Sequence, residues 1–419
     1  ITFKLRDGVR FHDGTVFDGE AAKFNLLRHL SSPEAMNASD MKLIESVDVL
    51  DPLTIKVNLS QPSSAIMSTL ASESGMMVSP TAFAALGAEL KRNPVGTGPF
   101  KFDSWKNDII TVSAFDDYWR IGADGQPLPY LDSVVIRTIP KTAVKIVEAQ
   151  SGNVDLTDAI QVLDFDKVER DPNLTLRENP QYIHHWIAFN TKEGPFTDVN
   201  LRKAVEYGLN RDGIAKVIAR QYGLVSSTVV PPTWWIYDES VKGYDIDQDK
   251  SREYLAKSGF SGSVELAVIN RDPDVQIAQI VQAQLKAIGL EVNVQVLERQ
   301  AWIELVLVQK SHQMAMLQKN VPLLDPDHLF GRTFGRNAGA NWALAEDEAL
   351  YDVIDEGVAT FDQDERKAAY VEAQRMLLDN AYYAFLFNRP IADIVSNKLH
   401  GVRTEPFGPF ILTEAWKSK

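Results

Sequence analysis

The sequence predicts an α/β fold of more than one domain. Three observations carry that expectation. Residues 264–297 spell strand, helix and strand with almost no loop between them. Strands alternate with helices through the second half of the chain, whereas those of the first half lean antiparallel. The length of 419 residues exceeds what one hydrophobic core holds and suggests two or three domains.

The unit at 264–297 is the clearest. Val264, Leu266 and Val268 alternate with Glu265 and Ala267, the period of a strand. Val275, Ile277, Ile280, Val281, Gln284, Leu285 and Ile288 then recur at helical spacing, and Gly289 stands where a helix C-terminus favours glycine. Leu290, Val292, Val294 and Val296 alternate again. Two strands joined through a helix run parallel, with the helix packed on the sheet. Trp302 falls on the next helical stretch.

Composition narrows the chemistry. There is no cysteine, which excludes disulfides, thiolate zinc sites and thiol nucleophiles. A net charge of −14, from 43 basic and 57 acidic residues, is wrong for nucleic acid or an anionic membrane. No apolar run reaches the roughly 20 residues of a membrane span.

In order, Ile1–Arg6 alternates as a strand, and a strand at the first residue predicts that a preceding region is missing. Asp18 is placed to cap a helix running to about Leu30, and Ser31–Asp40 reads as a polar loop. Strands are expected at Ile44–Val49 and Leu53–Leu59, and short helices at Ser63–Ser72 and Thr81–Lys91. Asn93–Phe100 breaks regular structure with two prolines and two glycines; Pro99 and the absent Lys-Ser/Thr argue against a phosphate loop. A hairpin follows, Phe100–Lys106 with Ile109–Ala114, then a strand at Val134–Ile139 and a helix at Thr142–Ser151. A short strand begins at Val154, Val162–Arg170 is helical, and Leu174–Glu178 and Ile183–Asn190 are two separate strands. Adjacent strand residues face opposite ways, so His184 and His185 cannot share a metal without a bulge. Asp198 and Asn210 each open a helix. Pro231-Pro232 and Trp234-Trp235 form a stiff aromatic segment, suited equally to a core and to a pocket wall. Asp245-Ile246-Asp247-Gln248-Asp249 lacks the glycine and distal glutamate of a calcium loop, and helix capping explains it. His312–Leu317 is a strand, Val321–Asp327 a loop, Ala345–Phe361 and Glu365–Asn380 long helices, and Ala384–Asn388 and Ile391–Ser396 two final strands.

Several segments together carry a family resemblance. Phe3-Lys4-Leu5-Arg6-Asp7-Gly8-Val9-Arg10-Phe11-His12-Asp13-Gly14 resembles the early signature of the extracellular solute-binding proteins of family 5, the peptide- and nickel-type binding components of ABC importers. Asn93–Phe100, Tyr118-Trp119, Phe189-Asn190 with Pro195–Ala204, and Asn210-Arg211-Asp212 resemble its later signatures, and Asp325-Pro326, Asn341 and Glu348 fit the remainder. The resemblance implies a periplasmic-binding-protein-like fold of class II (cluster C): two α/β lobes around a cleft, with an extra α+β domain. It implies residues 1–93 as that extra domain, 94–230 with 397–419 as one lobe lacking its N-terminal part, and 231–396 as the other. It also implies a lost signal peptide, a periplasmic or extracytoplasmic location with a possible lipid anchor, a monomer, no cofactor or metal, and no catalysis. The function implied is capture of a peptide-like or other small polar solute by hinge closure, and its delivery to the permease and ATPase.

In peptide-binding members an acid on a Gly/Trp-bearing loop meets the peptide ammonium. Here Pro322 takes the acid's place and Lys319 the aromatic's, with Asp325 the nearest substitute. That departure favours an anionic, opine-like or otherwise carboxylated solute, with an oligosaccharide or metal chelate as alternatives. The expected ligand-binding residues are Trp302, Trp234, Trp235, Gln318, Lys319, Asn320, Asp325, Asn341 and Trp342, and Trp302→Ala is expected to weaken binding with little loss of fold. The acidic pairs Asp116/Asp117, Asp245/Asp247 and Asp325/Asp327 leave a hydrolase as the rival class, and a chemotaxis sensor on the same fold as a third.

Overall fold

A computed structural model gives the fold and describes residues 1–28, 41–320, 325–336, 338–404 and 410–418. The expected loop at Ser31–Asp40 and residues 321–324 lie outside the described residues. Two compact units emerge, residues 1–177 with 392–419 and residues 178–391. The three-part division expected above stays a proposal.

In the first unit, β1 (Thr2–Lys4), β2 (Ile44–Asp51) and β3 (Thr54–Leu59) form an antiparallel sheet in the order β1-β3-β2. Helix α1 (Gly19–Arg28) is opened by Asp18, whose Oδ1 accepts from Ala21 N at 3.0 Å. Ala22 and Leu26 of this helix pack on Val47, Ile55 and Val57. The expected hairpin is present as β4 (Phe100–Lys106) and β5 (Ile109–Ala114), with β6 (Ser133–Arg137) added alongside β5.

The two earliest signature segments meet in this unit. His12 N donates to Gly96 O at 2.8 Å, and Gly96 N donates to His12 Nδ1 at 3.3 Å. That leaves Nε2 to carry the proton, 3.0 Å from Gly98 O. Burial holds the His12 pKa down, so the neutral ring clamps the Pro/Gly segment. Ser79 Oγ donates to the neighbouring Asp13 carboxylate at 2.5 Å and accepts from Ala82 N, which caps the helix Pro80–Leu86. These motif residues do architectural work.

In the second unit, β10 (Ser263–Ile269) lies between β11 (Glu291–Leu297) and β12 (Met314–Asn320), parallel to both. The helix linking β10 to β11 runs Asp274–Ala287, so the predicted βαβ unit is present with its register Val264↔Val292 to Val268↔Val296. Gly289 follows that helix at φ +95°, a left-handed position that suits glycine. Next to β12 runs β8 (Leu174–Phe189), antiparallel to it, then β13 (Tyr383–Ser396).

Two strand pairs expected at the sequence level are corrected here. Leu174–Glu178 and Ile183–Asn190 are one strand, and Ala384–Asn388 and Ile391–Ser396 are one strand. A proline stands in each gap, Pro180 and Pro390, and proline removes a ladder donor. Both strands run on regardless, and each passes from one unit into the other. The predicted short strand at Val154 starts later, as β7 (Leu156–Ile160), and a short β9 (Leu224–Val225) pairs with β13.

The family's later signatures also serve the scaffold. Asn190 Nδ2 donates to His312 O at 2.8 Å while its Oδ1 accepts from Lys192 N and Glu193 N. Arg202 donates to the carbonyls of Phe196, Thr197 and Asn380. Asp198 and Asn210 cap the helices Val199–Gly208 and Arg211–Ala219 as expected, and Asp247 caps Gln248–Ser258.

Candidate functional site

Strand alternation sorts the candidate residues onto two faces of the second unit's sheet. The β12–β8 register pairs Ala315 with Ala188, Leu317 with Trp186 and Lys319 with His184. The first two pairs belong to a core that includes Trp234, Trp302, Phe330, Phe334, Tyr383 and Phe385. Met314, Met316 and Gln318, opposite Phe189, Ile187 and His185, take the other face. Methionines 314 and 316 pack there with the βαβ helix.

Gln318 and Lys319 therefore do different things. Gln318 Nε2 donates to Asp274 Oδ1 at 2.6 Å, and Arg271 Nε donates to Asp274 Oδ2 at 2.6 Å. Asp274 is buried, and burial raises its pKa against the pull of Arg271. His185 Nδ1 stands 3.8 Å from Asp274, and Arg389 Nε donates to His185 Nε2 at 3.1 Å. A ring that accepts at Nε2 is neutral and carries its proton on Nδ1, towards the carboxylate. Burial, then Arg389, holds His185 well below the usual histidine range. This is a packed polar network, and it occupies Gln318.

Lys319 lies on the aromatic face. Its Nζ donates to Thr333 Oγ1 and stands 4.9 Å from the Trp342 ring and 6.0 Å from the Trp186 ring. Burial, then Arg332, pushes its pKa down to about 7. Cross-strand from it, His184 is fully buried, edge-on to Trp186 at 5.9 Å, and held down to about 3 by burial and then Lys319. Among the described residues neither His184 ring nitrogen has a hydrogen-bond partner.

The remaining candidates are spread around this core. Trp234 and Trp302 are buried within it, and among the described residues their indole N–H groups lack partners. Trp302 sits on the helix Arg299–Ile303 at 6% exposure within that core, so its removal is expected to cost fold stability as well. Trp235 is half-buried with the Arg366 guanidinium over its ring at 5.5 Å. Asn341 Nδ2 donates to Ala345 O at 2.8 Å, and Trp342 O is 2.9 Å from His312 Nε2. Asn320 ends β12 and is exposed.

Asp325 is committed elsewhere. Arg366 Nη2 reaches both carboxylate oxygens, at 2.8 and 2.9 Å, and Asp325 Oδ1 also accepts from Asp327 N. Both side chains are close to buried. Arg366 was invisible as a site residue in the sequence because it lies 41 positions downstream, with no local pattern to link it. Trp186, Thr333 and His184 were likewise missed as neighbours of Lys319; only the strand register brings them together.

A groove of about 630 Å³ opens on the helical side, lined by Asn210, Gln248, Gln276, Gln279 and Gln284 among others. None of the candidate residues lines it. Among the described residues no group of three or more His, Asp or Glu is arranged to hold a metal, and no helix is long and apolar enough to cross a membrane.

The fold defines the class first. The structure of the periplasmic binding protein DppA from Helicobacter pylori, in complex with peptide STSA, superposes with a TM-score of 0.84 at 26% identity, covering 100% of this chain and 86% of that one. The periplasmic binding protein AgaA in complex with agropinic acid superposes at 0.82 and 24% identity over 100% of this chain and 87% of that one, a likeness of fold alone. Residues 1–341 match the bacterial extracellular solute-binding proteins, family 5 Middle, and the chain belongs to that family. Among curated relatives, the glutathione-binding protein GsiB of Shigella flexneri is 32% identical over 298 residues, 70% of this chain. That match spans only 57% of the relative's length. GsiB of Pectobacterium atrosepticum is 28% identical over 99% of this chain and 82% of the relative.

Proposed function

We propose that the chain is the solute-binding part of an ABC importer, acting outside the cytoplasm, and that it carries a peptide-like solute of the glutathione or short-peptide type to a membrane permease. The observation that supports this most is the unbroken family match over residues 1–341. Relatives named for glutathione, and a fold neighbour holding a short peptide, point to small solutes with carboxylate and amide groups. Capture needs only that the solute bind one conformation better than another and shift the population towards it.

Asp325 is paired with Arg366 and Asp247 is a helix cap, so one carboxylate in each of two acidic pairs that left a hydrolase open is otherwise employed. Calorimetric titration with glutathione, dipeptides and tripeptides tests the reading, with the solute recovered afterwards and weighed by mass spectrometry. The expected result is one equivalent bound and returned unchanged. A cleaved or modified solute, or no binding across the whole panel, overturns it.

A further inference from the structure

The Lys319 ammonium is short of negative charge. Among the described residues no carboxylate lies within ion-pair distance of its Nζ. Its described neighbours are the Thr333 hydroxyl, the faces of Trp342 and Trp186, and the imidazole of His184 across the strands. Among the described residues the charged and titratable groups that face it are Arg332, a second cation, and His184, which stays neutral. Thr333 accepts one of the three ammonium protons, which leaves two to place. Indole faces stabilise a cation but accept no strong hydrogen bond. A cation desolvated in this way is costly unless an anion completes it. Lys319 and Trp342 are each half-buried as whole residues, and Arg332 and Asn320 are exposed.

We propose that Lys319, backed by Trp342 and Trp186, is a carboxylate-recognition subsite, so that the solute of this protein is an anion met here through its carboxylate. This rests on the binding-protein reading above and deepens it by naming the charge of the cargo. A singly charged carboxylate suits one ammonium on an aromatic wall better than a phosphate dianion does, because a dianion needs more donors than the two protons left. The bound carboxylate raises the Lys319 pKa again, so binding above neutral pH takes up a proton.

The subsite is tested without knowing the cargo. Lysine-labelled protein is titrated with sodium acetate, acetamide and sodium chloride, following the Lys319 side-chain resonance, assigned by its absence from Lys319→Met. Acetate is expected to move that resonance saturably and to raise its titration midpoint, whereas acetamide and chloride leave it unchanged. Acetate affinity is expected to fall about tenfold between pH 6 and pH 8, because protonation of a group titrating near 7 is lost over that span. A Lys319 resonance that ignores acetate, or an acetate site kept in Lys319→Met, overturns the proposal. Lys319→Arg is the second variant: it keeps the charge and is expected to keep acetate binding with no loss between pH 6 and pH 8. The two readings fail separately. Glutathione binding that leaves Lys319 untouched removes the subsite and spares the function; acetate recognition without binding of any peptide-like solute does the reverse.

Discussion

Replacing Asp325 by alanine separates a structural acid from a ligand-binding one. In the structure both Asp325 oxygens are held by Arg366 Nη2, at 2.8 and 2.9 Å, with the two side chains 8% and 11% exposed. Removing the carboxylate strands the guanidinium, which among the described residues keeps Gly357 O at 3.1 Å and stacking on Trp235 and Tyr370 at 5.5 and 5.8 Å. Breaking a buried pair from one side costs about 3–5 kcal/mol. The residual exposure of Arg366 lets water return and places this case near about 3 kcal/mol. A unit of this size loses about 2–4 °C of Tm per kcal/mol, so Asp325→Ala should melt about 6–12 °C lower. The assay is thermal and urea unfolding, alongside calorimetric binding of glutathione. Asp325→Ala with Arg366→Met should cost less than the sum of the two single changes, since the second removes the stranded charge. A Tm within about 2 °C of the parent, less than the loss of about 1 kcal/mol would give, together with abolished binding, would refute the reasoning and return Asp325 to the ligand.

Other expectations follow from single contacts. Arg211 donates to Phe385 O, Tyr244 O and Glu206 O and pairs with the buried Glu206 carboxylate, so Arg211→Met should cost about 3–5 kcal/mol by denaturant titration. Trp302→Ala should lose about 3–5 kcal/mol because it empties a buried site, again read by denaturant titration. A Cβ on Gly243 would lie 2.0 Å from Ser227 O, and Gly243→Ala should destabilise by at least about 1–3 kcal/mol in the same assay. Lys319→Met should raise the Tm at pH 6–7 and lose that advantage towards pH 10. The sign follows from a folded pKa near 7 below an unfolded value of about 10.4: the unfolded chain binds the extra proton between those pH values, so the parent gains stability as pH rises through them.

The sequence made the βαβ unit legible because its apolar residues change period from two to three-and-four and back within one stretch. The hairpin at 100–114 was equally plain, with alternation on both sides of a tight turn. The long strands β8 and β13 were not, because Pro180 and Pro390 speak locally for a break while the pairing on either side holds the strand. For the site, nearness in sequence misled: Gln318 and Lys319 are adjacent, yet alternation gives one to the Asp274 network and the other to the aromatic wall. The signature motifs identified the family yet hold the scaffold, as His12 on Gly96 and Gly98 and Arg211 on Glu206 show. The cargo contact proposed for Lys319 lies where this chain departs from the family pattern.

Native mass spectrometry of the protein as purified from its host, followed by denaturation and weighing of whatever is released, tests the central claim most directly. The account predicts one non-covalent equivalent of a small solute carrying at least one carboxylate, of peptide or glutathione type. A solute without a carboxylate would contradict the charge assigned to the cargo. Bare protein that stays bare after incubation with glutathione and a short-peptide mixture would contradict the binding-protein account itself.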